Sequence, residues 1–95
     1  MQSKQLIIRI SDTEDKVNRS NARRLAGHLE TMFRTDGSNI TFGTGRWKGK
    51  EEFSAAIEIV VPAVDGRDLD RIRDIVVSLG QEAMFYTIAD VEAGT

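Results

Sequence analysis

The residues able to do chemistry are few and scattered. The chain has 95 residues with one histidine and no cysteine. Disulfides and thiolate metal sites are thereby excluded, and a histidine-rich metal site within one chain has too few ligands. His28 falls between Leu25 and Leu29 with no serine or second histidine beside it, so it has no nucleophile to activate. Glu51, Glu52, Glu58 and Glu82 are the candidates for paired carboxylates. Glu51 and Glu52 are adjacent, and neighbours on a strand point to opposite faces, so they make no dyad. No catalytic set and no metal or cofactor site is expected.

The densest stretch is Gly43-Thr44-Gly45-Arg46-Trp47-Lys48-Gly49-Lys50-Glu51-Glu52, which holds the only tryptophan and three of the eight glycines. Its Gly-x-Gly precedes no helix at phosphate-cradle spacing and is not a dinucleotide fingerprint. Arg46, Trp47, Lys48 and Lys50 suit stacking and charge contact, either with a nucleotide or with a protein partner. A second basic cluster lies between Lys16 and Arg34, where Lys16, Arg19, Arg23, Arg24 and Arg34 face a single acid, Glu30. Its candidate partner contacts are Arg19, Arg23, Arg24 and Arg34. The net charge of −2 argues against a dedicated nucleic-acid binder, whose usual footprint is a basic pI.

These residues must be positioned by six elements. Leu6, Ile8 and Ile10 alternate with Ile7 and Arg9 in a first strand. Ala22, Leu25, Ala26, Leu29, Met32 and Phe33 form one helical stripe, with Asn18 or Ser20 as N-cap, a Val17–Ala22 staple, and Gly37 as the positive-φ stop. Asn39 to Thr44 and Phe53 to Val61 read as strands joined by the Gly-rich stretch as a long hairpin tip. Leu69, Ile72, Ile75, Val76 and Leu79 form a second helical stripe, capped by Asp65 or Asp68 and ended by Gly80. Gln81 to Ile88 reads as the last strand, and 89–95 as a fraying tail on a core of about 5–88.

The order β-α-β-β-α-β predicts one α+β domain over 1–95, with a ferredoxin-like four-stranded antiparallel sheet and two helices on one face. The other face is expected to carry Ile7, Ala56, Val60, Met84 and Tyr86, with Arg9 and Glu58 as a cross-strand pair. A half-apolar open face in a small domain predicts a homodimer through it. The RNA-binding version of this fold uses central-strand aromatics, which Ile7, Arg9, Ala56 and Glu58 replace here. No apolar run approaches the roughly 20 residues of a membrane span, and the cysteine-free composition suits the cytoplasm.

Gly-x-Trp-x-Gly, followed by Glu52-x-Ser54 and by Gln81-Glu82-Ala83 before an aromatic strand, resembles small phage- and prophage-borne proteins of unassigned activity. The resemblance covers Gly45 to Thr87. It implies a non-enzymatic module that docks onto a host or phage protein, as an inhibitor of a defence system such as a CRISPR effector. The alternatives are a nucleotide sponge gripping its ligand at the hairpin tip, and a small dimeric enzyme using Glu82 or His28.

Overall fold

The computed structural model describes residues 2–35, 37–81 and 84–92. Its elements are β1 (Gln2–Asp12), α1 (Asp15–Phe33), β2 (Asn39–Trp47), β3 (Lys50–Val61), α2 (Gly66–Ser78) and β4 (Phe85–Glu92). The sheet order is β2-β3-β1-β4, with every neighbouring pair antiparallel. The fold is the expected α+β ferredoxin-like one, with both helices on one face.

The core follows from periodicity. Leu6, Ile8 and Ile10 of β1 and Ala55, Ile57, Ile59 and Val61 of β3 project to the helical side and are buried. Ala22, Leu25, Ala26 and Leu29 of α1 and Ile72 and Val76 of α2 close over them. Alternation of period two on the strands meets spacing of three and four on the helices, so one apolar layer forms between them.

Helix ends differ from expectation in instructive ways. Helix α1 starts at Asp15, and its N-cap, Glu14, makes no side-chain cap bond. Asn18 caps nothing; it lies inside the first turns, fully buried, and Val17, 39% exposed, lies inside the helix and not before its cap. The chain is turned into α1 by Asp12, whose Oδ1 accepts from the Glu14 backbone N–H at 3.1 Å. The helix ends at Arg34, with φ 53° and ψ 49°, rather than at a positive-φ Gly37. Thr35 N–H then bonds Glu30 O, closing the last turn with an arginine where glycine is usual. Helix α2 meets the expectation: Asp65 and Asp68 form a reciprocal capping box at 3.0 and 3.1 Å. Gly80 takes positive φ at its end, with Gln81 N–H on Val76 O and Gly80 N–H on Val77 O.

Three strand features are corrected. The Gly-rich stretch is not a long tip. Arg46 pairs with Glu51 and Trp47 with Lys50, so only Lys48 and Gly49 turn the chain. Both have positive φ, 51° and 78°, as the tight hairpin turn that matches strand twist requires. The last strand begins at Phe85 instead of Gln81 and runs on to Glu92, so 89–92 pair with Gln2 to Gln5. Residues 93–95 of the anticipated tail lie outside the described residues. Finally, Tyr86 faces Ile8 and Ile88 faces Leu6, which puts both on the helical side; Phe85 and Thr87 take the open face.

Candidate functional site

The two basic groups do not converge. Arg19 is committed locally: its Nε bonds Asp15 at 2.9 and 3.0 Å, and its guanidinium carbon lies 4.6 Å from the Phe42 ring centroid. It lashes the start of α1 to β2. Arg23 and Arg24 are exposed one turn on. Arg34 is exposed at the far end of the helix, about 22 Å from Arg19 at the ordinary rise per residue. Arg46 and Lys50 are exposed on the paired ends of β2 and β3, and Lys48 sits in the turn between them. The Trp47 side chain lies outside the described residues, so the stacking role assigned to it stays an expectation. The ligand clamp expected of a long tip loses its scaffold, because a two-residue turn stands there.

His28 is exposed on α1, and Glu82 lies outside the described residues. Among the described residues no three His, Asp or Glu side chains are grouped to hold a metal ion.

On the open face the anticipated Arg9–Glu58 pair does not form. The register sets Glu58 opposite Ile7 and Arg9 opposite Ala56. Gln5 Nε2 donates to Glu58 instead, and Arg9 Nη1 donates to Thr87 Oγ1 at 3.3 Å. Arg9 and Glu58 are therefore each held by a neutral partner.

Two features had no clear signal in the sequence. The first is a buried carboxamide group at the junction of β1, α1 and the exit of α2. Asn18 Nδ2 reaches the Ile10 carbonyl at 3.5 Å, and Gln81 Nε2 donates to Asp12 Oδ2 at 3.2 Å. Asn18 Oδ1 and Asn21 Nδ2 are buried without a hydrogen-bond partner.

The second is the surface of β4. This strand is an edge of the sheet, hydrogen-bonded to β1. Its helical side carries Tyr86 and Ile88, still 45% and 38% exposed, and its open side carries Phe85, 69% exposed. Val60 of β3, 52% exposed, continues the apolar surface across the open face. The opposite edge, β2, carries no exposed large apolar side chain among its described ones. Val77 on α2, 60% exposed, and Val17 on α1, 39% exposed, stand apart from that surface, so three of the six exposed large apolar side chains among the described residues lie on β4.

No protein-family model matches the chain, and no curated protein matches it. Solved structures share its fold over nearly its whole length. A DUF3240-family protein from Shewanella baltica OS155 superposes with a TM-score of 0.60 at 16% identity, covering 97% of this chain and 94% of that one. CutA from Synechococcus elongatus PCC7942, complexed with a Bis-Tris molecule, gives 0.55 at 10% identity, covering 98% and 87%. The C-terminal domain of the MgtC protein from Mycobacterium tuberculosis gives 0.50 at 11%, covering 94% and 88%. These likenesses establish a shared fold. They also overturn the phage resemblance: the structures alike over nearly the whole chain include DUF3240, CutA and MgtC proteins, whereas the Gly-x-Trp motif spanned only Gly45 to Thr87. The reading of a phage-type module that docks onto a host protein to inhibit a defence system is withdrawn with it.

Proposed function

We propose that this chain is a non-catalytic assembly domain that works in the cytoplasm as a homo-oligomer. The observation that carries the reading is the surface of β4, an edge strand whose Phe85, Tyr86 and Ile88 remain exposed on both sides of the sheet. A fold shared by proteins of different names does not assign chemistry, so the argument rests on this surface. In an isolated domain these side chains leave apolar area in water at roughly 25 cal/mol per Å². Covering them with a second copy removes that cost without requiring any further partner. The absence of cysteine suits a reducing compartment. No helix among the described residues is long and apolar enough to cross a membrane.

Sedimentation equilibrium of the purified chain, from low to high micromolar concentration, tests the reading. The expected result is a reversible dimer or higher homo-oligomer. A chain that stays monomeric across the range refutes it.

A further inference from the structure

The backbone of β4 restricts how a second copy can meet it. Residues 85–92 pair with β1 in one unbroken register. In an antiparallel ladder, alternate residues direct both N–H and C=O to one neighbour, and the intervening residues direct theirs the other way. Strand β1 therefore uses one parity of β4, and the other parity points out of the sheet. When two such edges meet antiparallel, outward-pointing residues must face each other. Facing residue numbers then sum to an even value, and the two-fold axis passes through a residue. Facing residues also project to the same side, so the helices of both copies lie on one face of the joined sheet.

Side chains choose among the centres that remain. A two-fold at Ile88 sets Tyr86 against Asp90, forcing into an apolar contact a carboxylate that Lys4 already holds. A two-fold at Tyr86 sets Phe85 against Thr87 and leaves Ala89 to Glu92 beyond the centre of pairing. A two-fold at Thr87 sets Tyr86 against Ile88 twice on the helical side, and Phe85 against Ala89 twice on the open side. Aromatic and β-branched residues are favourable cross-strand neighbours, and like charges are not. This register puts Asp90 opposite Met84, outside the strand at the end of the pairing, and holds the two Asp90 carboxylates six residues apart. From Phe85 to Ala89 the strand has no charge and no proline, the devices that ordinarily protect an edge.

We infer that the occupant of this edge is a second copy of the chain, its β4 antiparallel to β4 with Thr87 facing Thr87, so that two four-stranded sheets join into one of eight strands. The inference rests on the assembly reading and specifies its geometry.

The cysteine-free chain allows a direct test by single-cysteine cross-linking. Facing Thr87 positions lie roughly 4.5–5.5 Å apart between Cα atoms, within disulfide reach. The two Ala89 positions are displaced by four residues, about 13 Å, and are out of reach. Thr87 and Ala89 are both exposed, so neither substitution enters the core. Under mild oxidation Thr87→Cys is expected to give a covalent dimer, Ala89→Cys alone none, and a mixture of Phe85→Cys with Ala89→Cys a dimer again. Stronger linkage through Tyr86→Cys or Ile88→Cys than through Thr87→Cys overturns the register. A Val60→Cys dimer without a Thr87→Cys dimer overturns edge pairing in favour of face-to-face association, and the assembly reading survives. If none of these links and sedimentation shows a monomer, both fail together.

Discussion

Gln81 Nε2 donates to Asp12 Oδ2 at 3.2 Å, tying the residue that leaves α2 to the last residue of β1. The same carboxylate turns the chain into α1 through the Glu14 N–H, so one side chain holds three elements at one corner of the core. Gln81 is buried, and its removal leaves an oxygen of Asp12 without its donor. Gln81→Ala is expected to lower stability by about 2 kcal/mol, in the range of bonds to charged groups. Gln81→Glu is expected to cost more at neutral pH, because it sets two carboxylates together. Urea denaturation of the three proteins checks the order.

Asn21 presents a buried Nδ2 with no partner. Leucine of similar size removes that unmet donor and extends the stripe of Ala22 and Leu25. Asn21→Leu is expected to raise stability by about 1 kcal/mol. Asn18→Leu is expected to do worse than Asn21→Leu, since it also strips the Ile10 carbonyl of its donor. A clear loss of stability in Asn21→Leu would show that the amide is satisfied in solution, as by a buried water.

Arg34 holds a left-handed backbone at the end of α1. That conformation costs a side-chain-bearing residue roughly 1–2 kcal/mol, part of which glycine gives back through its freer unfolded chain. Arg34→Gly is expected to raise the thermal midpoint slightly, with a net gain of up to about 1 kcal/mol. A lower midpoint would mean that the arginine makes a compensating contact.

The guanidinium of Arg19 over Phe42 joins α1 to the edge strand β2. A double-mutant cycle with Arg19→Ala and Phe42→Leu is expected to return a coupling of about 0.5–1 kcal/mol. A cycle that closes near zero would assign Arg19 to Asp15 alone.

The layout of the fold was legible because its signals are periodic. Leu6, Ile8 and Ile10 at spacing two, and Leu25 and Leu29 at spacing four, have one reading each, and they lie in the core as that reading requires. Misreadings came where residue type and place compete. Asn18 has the composition of a cap, yet the helix begins three residues earlier and buries it. Three glycines between Gly43 and Gly49 suggest a loose tip, but only Gly49 takes positive φ, and Gly43 and Gly45 are ordinary strand residues facing Ser54 and Glu52. Met84-Phe85-Tyr86 has no alternation to fix a register, so the strand's start and faces were set by pairing with β1. The exposure of Tyr86 and Ile88 was not legible at all. Their side of the sheet is the buried one, yet at the edge position of β4 they stay 45% and 38% exposed.

Assembly through β4 is tested most directly by the solution mass of the wild type beside Ile88→Lys, measured by light scattering at the same concentrations with matching circular dichroism. A lysine on this edge places a charge where two copies meet. The account predicts twice the chain mass for the wild type and a single chain mass for Ile88→Lys, with both equally folded. A wild type of single chain mass, or an Ile88→Lys protein that keeps the doubled mass, contradicts it.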